Sequence, residues 1–206
     1  MKKVILAALL LASLSVGAQE RKWEHRLFVG AGLMAERETD GNSSGLALKA
    51  GYGLSYHWSE QWSLKAGVAV RDVTQNAFKD VFDGFGGTAD GADDDHFTFL
   101  DVPVIAQYHI GQGRGSWALG LGPVLSFCVG NETYYVDADP QSPLSRLNKC
   151  KTFALGLQPS VTCRVSRHIE IGVEATLGLT NLKRTHALTT GSKHIHDVAL
   201  TVGWVL

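Results

Sequence analysis

Several segments of this sequence alternate between apolar and polar residues. Ionisable side chains that could do chemistry recur at the polar positions of these segments. Lys65 and Arg71 are both at odd-numbered positions of one segment, and Glu170 and Glu174 are both at even-numbered positions of another. Because successive side chains of a strand point to opposite faces, such residues would project from one face of a sheet. Facing one another, they would form ion pairs and hydrogen bonds. The predicted ion-pair network comprises Lys49, Lys65, Arg71, Asp101, Arg164, Glu170 and Glu174.

Two segments rich in metal-ligating side chains lie between the alternating ones. Segment 74–96 carries several aspartates and flexible glycines; calcium favours such oxygen ligands, but their spacing is not that of an EF-hand. Segment 183–196 is basic and contains His194-x-His196, a pair that could hold a transition metal, although two histidines on a loop rarely make a site. We therefore predict no metal site and interpret both segments as solvated loops.

An enzymatic site is not indicated by the sequence. Nucleophilic catalysis needs a nucleophile, a histidine and a carboxylate that converge, and no Ser-centred motif such as G-x-S-x-G is present. His57 and His109 lie at the ends of their segments beside short connections. We predict no catalytic residues, no cofactor and no enzymatic activity.

The elements that position these side chains are strands. Segments 97–110 and 117–129 alternate strictly, and only the glycine-rich link 111–116 separates them, which predicts an antiparallel hairpin. Each exceeds the roughly 9–11 residues with which a tilted strand crosses a bilayer. The same pattern predicts eight strands, at 26–36, 46–58, 62–73, 97–110, 117–129, 152–165, 169–182 and 197–206.

The connections between these strands alternate in length. Those after the second, fourth and sixth strands are short, whereas the others are long and span 37–45, 74–96, 130–151 and 183–196. Short turns on one rim and long loops on the other are typical of outer-membrane barrels, whose short turns face the periplasm. The sequence therefore predicts an all-β, eight-stranded antiparallel transmembrane up-and-down barrel with long extracellular loops and both termini at the periplasmic rim.

Aromatic placement distinguishes a membrane barrel from a soluble one, whose apolar face would point inward. Six amphipathic rings lie on apolar faces, at strand ends next to the short turns or the C-terminus: Tyr56, Trp58, Trp62, Tyr108, Trp117 and Trp204. At one level they would form a girdle at a membrane interface. Core aromatics scattered by chance would not be confined to one rim, so we predict that the apolar faces contact outer-membrane lipid.

The N-terminus has the pattern of an exported chain. Lys2 and Lys3 precede an apolar run shorter than the roughly 20 residues of a spanning helix, and Val16-Gly17-Ala18 is a small-residue cleavage site. Residues 1–18 are therefore predicted to be a signal peptide and 19–206 the barrel domain. With 19 basic and 20 acidic residues, the chain shows no charge pattern that suggests nucleic acid as a partner.

Three stretches resemble a known family. They are the strand segment Phe99-Leu100-Asp101-Val102-Pro103-Val104, the segment Leu119-Gly120-Leu121-Gly122-Pro123, and EATLGLTN at 174–181. Together they resemble the small outer-membrane β-barrels of Gram-negative bacteria labelled "porin family" or "outer membrane protein beta-barrel domain". The resemblance implies the barrel fold, the outer membrane and the barrel-assembly machinery as a partner during biogenesis. Such barrels commonly end in an aromatic residue, whereas this chain ends in Trp204-Val205-Leu206.

The width of the predicted barrel determines whether its lumen can conduct solutes. An eight-stranded barrel is only just wide enough for its side chains to fill it, so the inward-facing charges are interpreted as a packed polar interior. We predict a non-enzymatic outer-membrane protein with a structural role, or one that binds an extracellular ligand through loops 74–96 and 183–196. The alternative is a narrow porin-like channel for small solutes.

Cysteine spacing predicts one disulfide. Cys128 ends the fifth strand and Cys150 precedes the sixth, so both lie at the base of the same long loop in an oxidising compartment. The register that places them opposite each other also pairs Trp117 with Val161 and keeps apolar faces together. A disulfide is then within reach, and the third cysteine, Cys163, is predicted to be a free thiol on the lipid-facing side.

Overall fold

The computed structural model describes residues 23–38, 41–75, 94–111, 113–134, 151–182 and 192–206. Their strands form one closed antiparallel barrel in which each strand pairs with the next and the last pairs with the first. This confirms the predicted eight-stranded architecture. The strands are β1 (Trp23–Glu38), β2 (Gly41–His57), β3 (Trp62–Gln75), β4 (Asp94–Ile110), β5 (Trp117–Tyr134), β6 (Phe153–Arg164), β7 (Ile169–Gly178) and β8 (Lys193–Val205).

The barrel wall is apolar on its outer face and polar on its inner face, the reverse of a soluble protein. Outward side chains are large and apolar, and they remain open to the surroundings, as with Leu33 at 63% and Leu200 at 58% exposure. Inward side chains are buried and include many charged groups, such as Arg71 and Asp101. An apolar exterior is stable only where lipid covers it, which places the wall in a membrane.

Short turns close one rim of the barrel, at 58–61, 111–116 and 165–168. In the middle turn Gly111, Gly113 and Gly115 all have positive φ, between 72° and 79°, which residues with a Cβ rarely adopt. The N-terminal end of β1 and the C-terminal end of β8 lie at the same rim, since Val205 pairs with Arg26. This is the predicted periplasmic rim.

At the other rim the strand ends differ from those predicted. β1 and β2 extend to Glu38 and Gly41, so the predicted long connection 37–45 is wrong, and only residues 39–40 separate the two strands. β8 begins at Lys193 instead of 197, and β7 ends at Gly178 instead of 182. Apolar alternation stops where lipid stops, whereas backbone pairing can continue into water, so the pattern places the extracellular ends of β1, β2 and β8 too close to the membrane. β7 differs, because its pairing stops before its apolar alternation does.

The register between β5 and β6 also differs from the prediction. Trp117 pairs with Cys163, two residues away from its predicted partner Val161, and Leu119 pairs with Val161 in the same shifted register. A shift of two keeps every side chain on its face, so face polarity alone could not exclude it. The Cys128 amide donates to the Thr152 carbonyl at 2.9 Å. Cys150 lies outside the described residues, so its pairing with Cys128 stays a prediction.

Glycines on the inner face allow adjacent strands to approach each other. A Cβ at Gly32 would lie 1.9 Å from the Val198 carbonyl oxygen on β8, and one at Gly122 would lie 2.0 Å from the Val104 carbonyl oxygen. No side chain can be accommodated at such distances without moving the backbone. The inner-face glycines at these two positions therefore allow a close approach of neighbouring strand backbone that any other residue would prevent.

Candidate functional site

Glu174 on β7 is the centre of an ionic cluster inside the barrel. Its side chain is fully buried, and Lys65 Nζ and Arg26 Nη1 lie 3.1 and 3.4 Å from its Oε1. Lys49 Nζ lies 3.7 Å from Oε2, and the Gln158 amide donates to the same oxygen at 3.0 Å. Because these partners come from four other strands, one carboxylate ties opposite walls of the barrel together.

The cluster continues toward the periplasmic rim through Arg26. Its guanidinium lies 3.3 Å from Glu170. Arg164 faces Glu170 across β6 and β7, with Nη2 and Oε2 3.7 Å apart, and it also pairs with Glu24. Alternating positive and negative groups thus form a continuous chain, in which each buried charge has an opposite charge beside it.

A second ionic cluster surrounds Arg71. Its Nε and Nη1 donate to Asp101 at 2.6 Å and to Asp197 at 2.8 Å, and Nη2 lies 3.4 Å from the Ser126 hydroxyl. The guanidinium also lies over the Phe99 ring, 4.7 Å from its centroid. Two carboxylates, a hydroxyl and an aromatic face therefore hold this single buried cation in place.

An apolar cluster, here called the mouth cluster, fills the lumen next to the extracellular rim. Its members are buried and lie in or near the strand ends at that rim: Met34, Ala47, Val73, Phe97, Phe99, Ala154, Leu182 and Ile195. Cys128 packs against it from β5. Lys193 lies over the Phe97 ring at 4.7 Å and pairs with Glu36 at 2.9 Å. The interior is thus ionic in its centre and hydrophobic at its outer end.

A polar vestibule of about 150 Å³ opens at the periplasmic end of the lumen. His57 and His109 line it with their ring centroids 5.0 Å apart, and Ser63 Oγ lies 2.7 Å from His109 Nε2. Within the described residues, no group of three histidine, cysteine or acidic side chains is arranged to hold a metal ion. Arg26, Lys65, Arg164 and Glu170 also line the vestibule, so it lies directly beside the ionic cluster.

The predicted girdle residues all lie on the outer face near the periplasmic rim. Trp62 contacts Trp58 and Tyr108, with ring centroids 6.5 and 5.0 Å apart. Trp204 stacks on His168, while Trp117 is half exposed. Trp23 packs on Tyr56 at 4.6 Å and extends the set. Trp23 was missed because the predicted first strand began at residue 26, although its odd number gives it the outward parity.

Sequence reasoning also missed several members of the interior network. Arg26 and Asp197 stood at the predicted ends of their strands, where parity is a weak guide, yet both are buried and ion-paired. Glu24 and Gln158 were missed as well. Most of loops 74–96 and 183–196 lies outside the described residues. At their bases, His96 Nε2 lies 2.6 Å from Asp72, and the His194 and His196 rings stack.

The fold and the site together define a class of protein. A closed barrel with an apolar exterior, an ion-paired interior and an aromatic rim is a transmembrane β-barrel. The family model described as "Outer membrane protein beta-barrel domain" matches residues 17–184. The chain belongs to this family, and it is an outer-membrane protein. A search of curated proteins returned no match.

Solved structures with the same architecture include three outer-membrane proteins. Neisserial surface protein A (NspA) is 13% identical, with a TM-score of 0.55 over 87% of this chain and 96% of that one. Ail, the attachment invasion locus protein of Yersinia pestis, is 12% identical, with 0.46 over 90% and 99%. The outer membrane enzyme PagL is 12% identical, with 0.47 over 86% and 97%. These likenesses concern the fold alone.

Within the described residues, no helix is long and apolar enough to cross a membrane.

Proposed function

We propose that the protein is a non-enzymatic outer-membrane barrel with a closed lumen and a structural or surface-binding role exerted through its extracellular loops. The observation that carries this proposal is the succession of buried side-chain clusters along the lumen. The Glu174 cluster, the Arg71 cluster and the mouth cluster follow one another from the vestibule to the extracellular rim. A barrel that is filled in this way leaves the loops as the part available to partners.

The mouth cluster supports closure more strongly than the charges do. A hydrated ion that reached Arg71 would next have to pass the rings of Phe97 and Phe99, which are each only 1% exposed and pack in the mouth cluster. Hydrophobic constrictions exclude water and therefore ions. The lumen thus has a dry barrier at its outer end.

Absence of catalysis is proposed from the geometry of the one serine–histidine pair described above. Ser63 and His109 lie at hydrogen-bond distance, as a nucleophile and base do. However, Ser63 is fully buried and its hydroxyl also bonds to Gln107 at 3.3 Å. A substrate has no path to this oxygen, so the pair is a structural part of the interior.

A narrow channel is the second candidate, and the vestibule is the observation that favours it. A polar entrance at one end is what a small-solute pathway needs. The two candidates differ in whether a pathway continues beyond Glu174.

A liposome-swelling assay with pentose-sized sugars separates the two candidates. We expect refolded mature protein to swell vesicles no faster than protein-free controls. Replacing both rings, Phe97→Ala and Phe99→Ala, tests the mouth cluster, and Phe127→Ala on the outer face is the matched control. Rapid swelling by the unmodified protein would contradict the closed lumen and support the narrow channel.

A further inference from the structure

Two histidines from separate strands meet in the periplasmic vestibule. His57 is the last residue of β2, His109 is the last but one of β4, and β3 lies between these strands in the sheet. Both side chains line the vestibule, and their ring centroids are 5.0 Å apart with the ring planes tilted by 40°. The pair depends on the register of three strands, so it could not be predicted from the sequence.

The separation of these two rings is close to that of two imidazoles bound to one metal ion. A metal–nitrogen bond of about 2.0–2.1 Å places the ion about 3.2 Å from the centre of each ring. Two rings at the tetrahedral angle then have centres about 5.2 Å apart. The rings of His194 and His196 are 6.5 Å apart. That distance exceeds the roughly 6.4 Å that one ion can bridge with the rings on opposite sides of it.

Hydrogen bonds select the tautomer of His109. The Ser63 hydroxyl donates its only proton to Gln107 Oε1 at 3.3 Å, so its oxygen must accept a hydrogen bond from His109 Nε2, 2.7 Å away. The proton of the neutral ring is therefore on Nε2, and the lone pair that a metal needs is on Nδ1. Metal-binding histidines are commonly oriented by a hydrogen bond from their other nitrogen, and Ser63 provides that partner here.

His57 also presents one nitrogen to the vestibule. Its Nε2 is enclosed by protein without a hydrogen-bond partner, so Nδ1 is the nitrogen that a ligand can reach. Among the described residues, no set of three histidine, cysteine or acidic side chains has a ligating arrangement. The vestibule, at about 150 Å³, has room for the water molecules that would fill the other coordination positions.

The charges around the pair favour a cation over an anion. All the basic residues that line the vestibule already have carboxylate partners within 3.4 Å. The pairs are Arg26 with Glu170, Lys65 with Glu174, and Arg164 with Glu24. Because these positive charges are compensated, they neither attract an anion into the vestibule nor prevent a metal ion from entering it.

We propose that His57 and His109 bind a divalent transition-metal ion in the vestibule, with water completing its coordination. Imidazole nitrogen suits Zn²⁺, Cu²⁺ and Ni²⁺, whereas Ca²⁺ and Mg²⁺ prefer oxygen. The prediction of no metal site was based on the two loops and does not extend to ligands that strand register brings together. This site faces the periplasm and uses no loop residue, so it is independent of the surface-binding role proposed above.

Electron paramagnetic resonance of Cu²⁺ added to the refolded mature protein in uncharged detergent tests the proposal. Cu²⁺ is the probe because it binds most tightly among these ions at a nitrogen site. We expect one copper ion per chain, with a spectrum that shows coupling to imidazole nitrogen. Loss of an outer-shell partner alone costs about 10–100-fold in metal affinity. His57→Gln and His109→Gln should therefore each weaken Cu²⁺ binding at least about tenfold.

The matched control is the double variant His194→Gln/His196→Gln, which removes the other neighbouring histidine pair and should bind Cu²⁺ like the unmodified protein. Heat-modifiable gel migration shows that each variant is folded. Three results would overturn the proposal. One is Cu²⁺ binding that is absent or that neither His57→Gln nor His109→Gln weakens. Another is loss of binding in the control, which would move the site to the extracellular rim. The third is displacement of Cu²⁺ by Ca²⁺ at equal concentration, which would indicate oxygen ligands.

Discussion

Glu174 Oε1 and Lys65 Nζ lie 3.1 Å apart across the barrel interior, although 109 positions separate the two residues in the chain. They belong to β7 and β3, which are not neighbours in the sheet. The contact therefore spans the lumen and does not run along its wall. A cross-lumen ion pair of this kind can form only in a closed barrel. It links strands that do not hydrogen-bond to each other, so several strands stabilise one another through the interior.

Removing the charge of Glu174 should destabilise the barrel strongly. Glu174→Gln keeps the volume but leaves Arg26, Lys49 and Lys65 without their shared carboxylate. Breaking a buried ion pair in this way costs about 3–5 kcal/mol. We expect a loss of that order in the free energy of unfolding, measured by urea titration in lipid vesicles with tryptophan fluorescence.

The control for this change is Asp72→Asn. Asp72 pairs with His96 on the outer face, and its side chain is 39% exposed against 1% for Glu174. Exposed pairs contribute about 0–1 kcal/mol. Equal losses of unfolding free energy in the two variants would show that the buried network stabilises the barrel no more than an exposed ion pair does.

Gly32 should not tolerate a side chain, whereas Gly53 should. A Cβ at Gly32 would collide with backbone of β8 at 1.9 Å, but a Cβ at Gly53 would meet nothing closer than Lys65 Cε at an ordinary 3.5 Å. Gly32→Ala should therefore lower the free energy of unfolding by about 1–3 kcal/mol or block barrel closure. The fraction of heat-modifiable protein after refolding measures this, and a Gly53→Ala variant that fails as badly would refute the steric explanation.

The disulfide between Cys128 and Cys150 stays a prediction on the ground of compartment and loop position, since the register that was first used to support it is wrong. Closing this loop would contribute about 3 kcal/mol in the chain-entropy model. Thiol counting on unreduced, denatured protein should find one reactive group, from Cys163. A count of three would show that no bridge forms.

Alternation in the sequence was enough to predict the strands, their number and the lipid-facing side, because the membrane imposes one polarity on every outward position. It was not enough for the strand ends beyond the lipid, as at Glu38 and Gly41, because the membrane no longer dictates the polarity of outward positions there. It also could not fix the register of Leu119, since a shift of two leaves the faces unchanged.

The candidate site was predictable only in part for a related reason. Parity identified Lys65, Arg71 and Glu174 as inward, but it gave no partners, which depend on the stagger of the strands around the barrel. Phe97 and Phe99 are apolar residues on the polar parity. The pattern therefore gave no sign that they would meet Ile195 and close the extracellular end.

Planar-bilayer recording from the refolded mature protein tests the closed lumen most directly. The filled interior predicts no steady conductance above that of the bare membrane, because the Glu174 cluster and the mouth cluster lie in series across every path. Reproducible single-channel steps, with an ion selectivity that Lys65→Ala or Glu174→Ala changes, would contradict it and show that ions pass through the barrel.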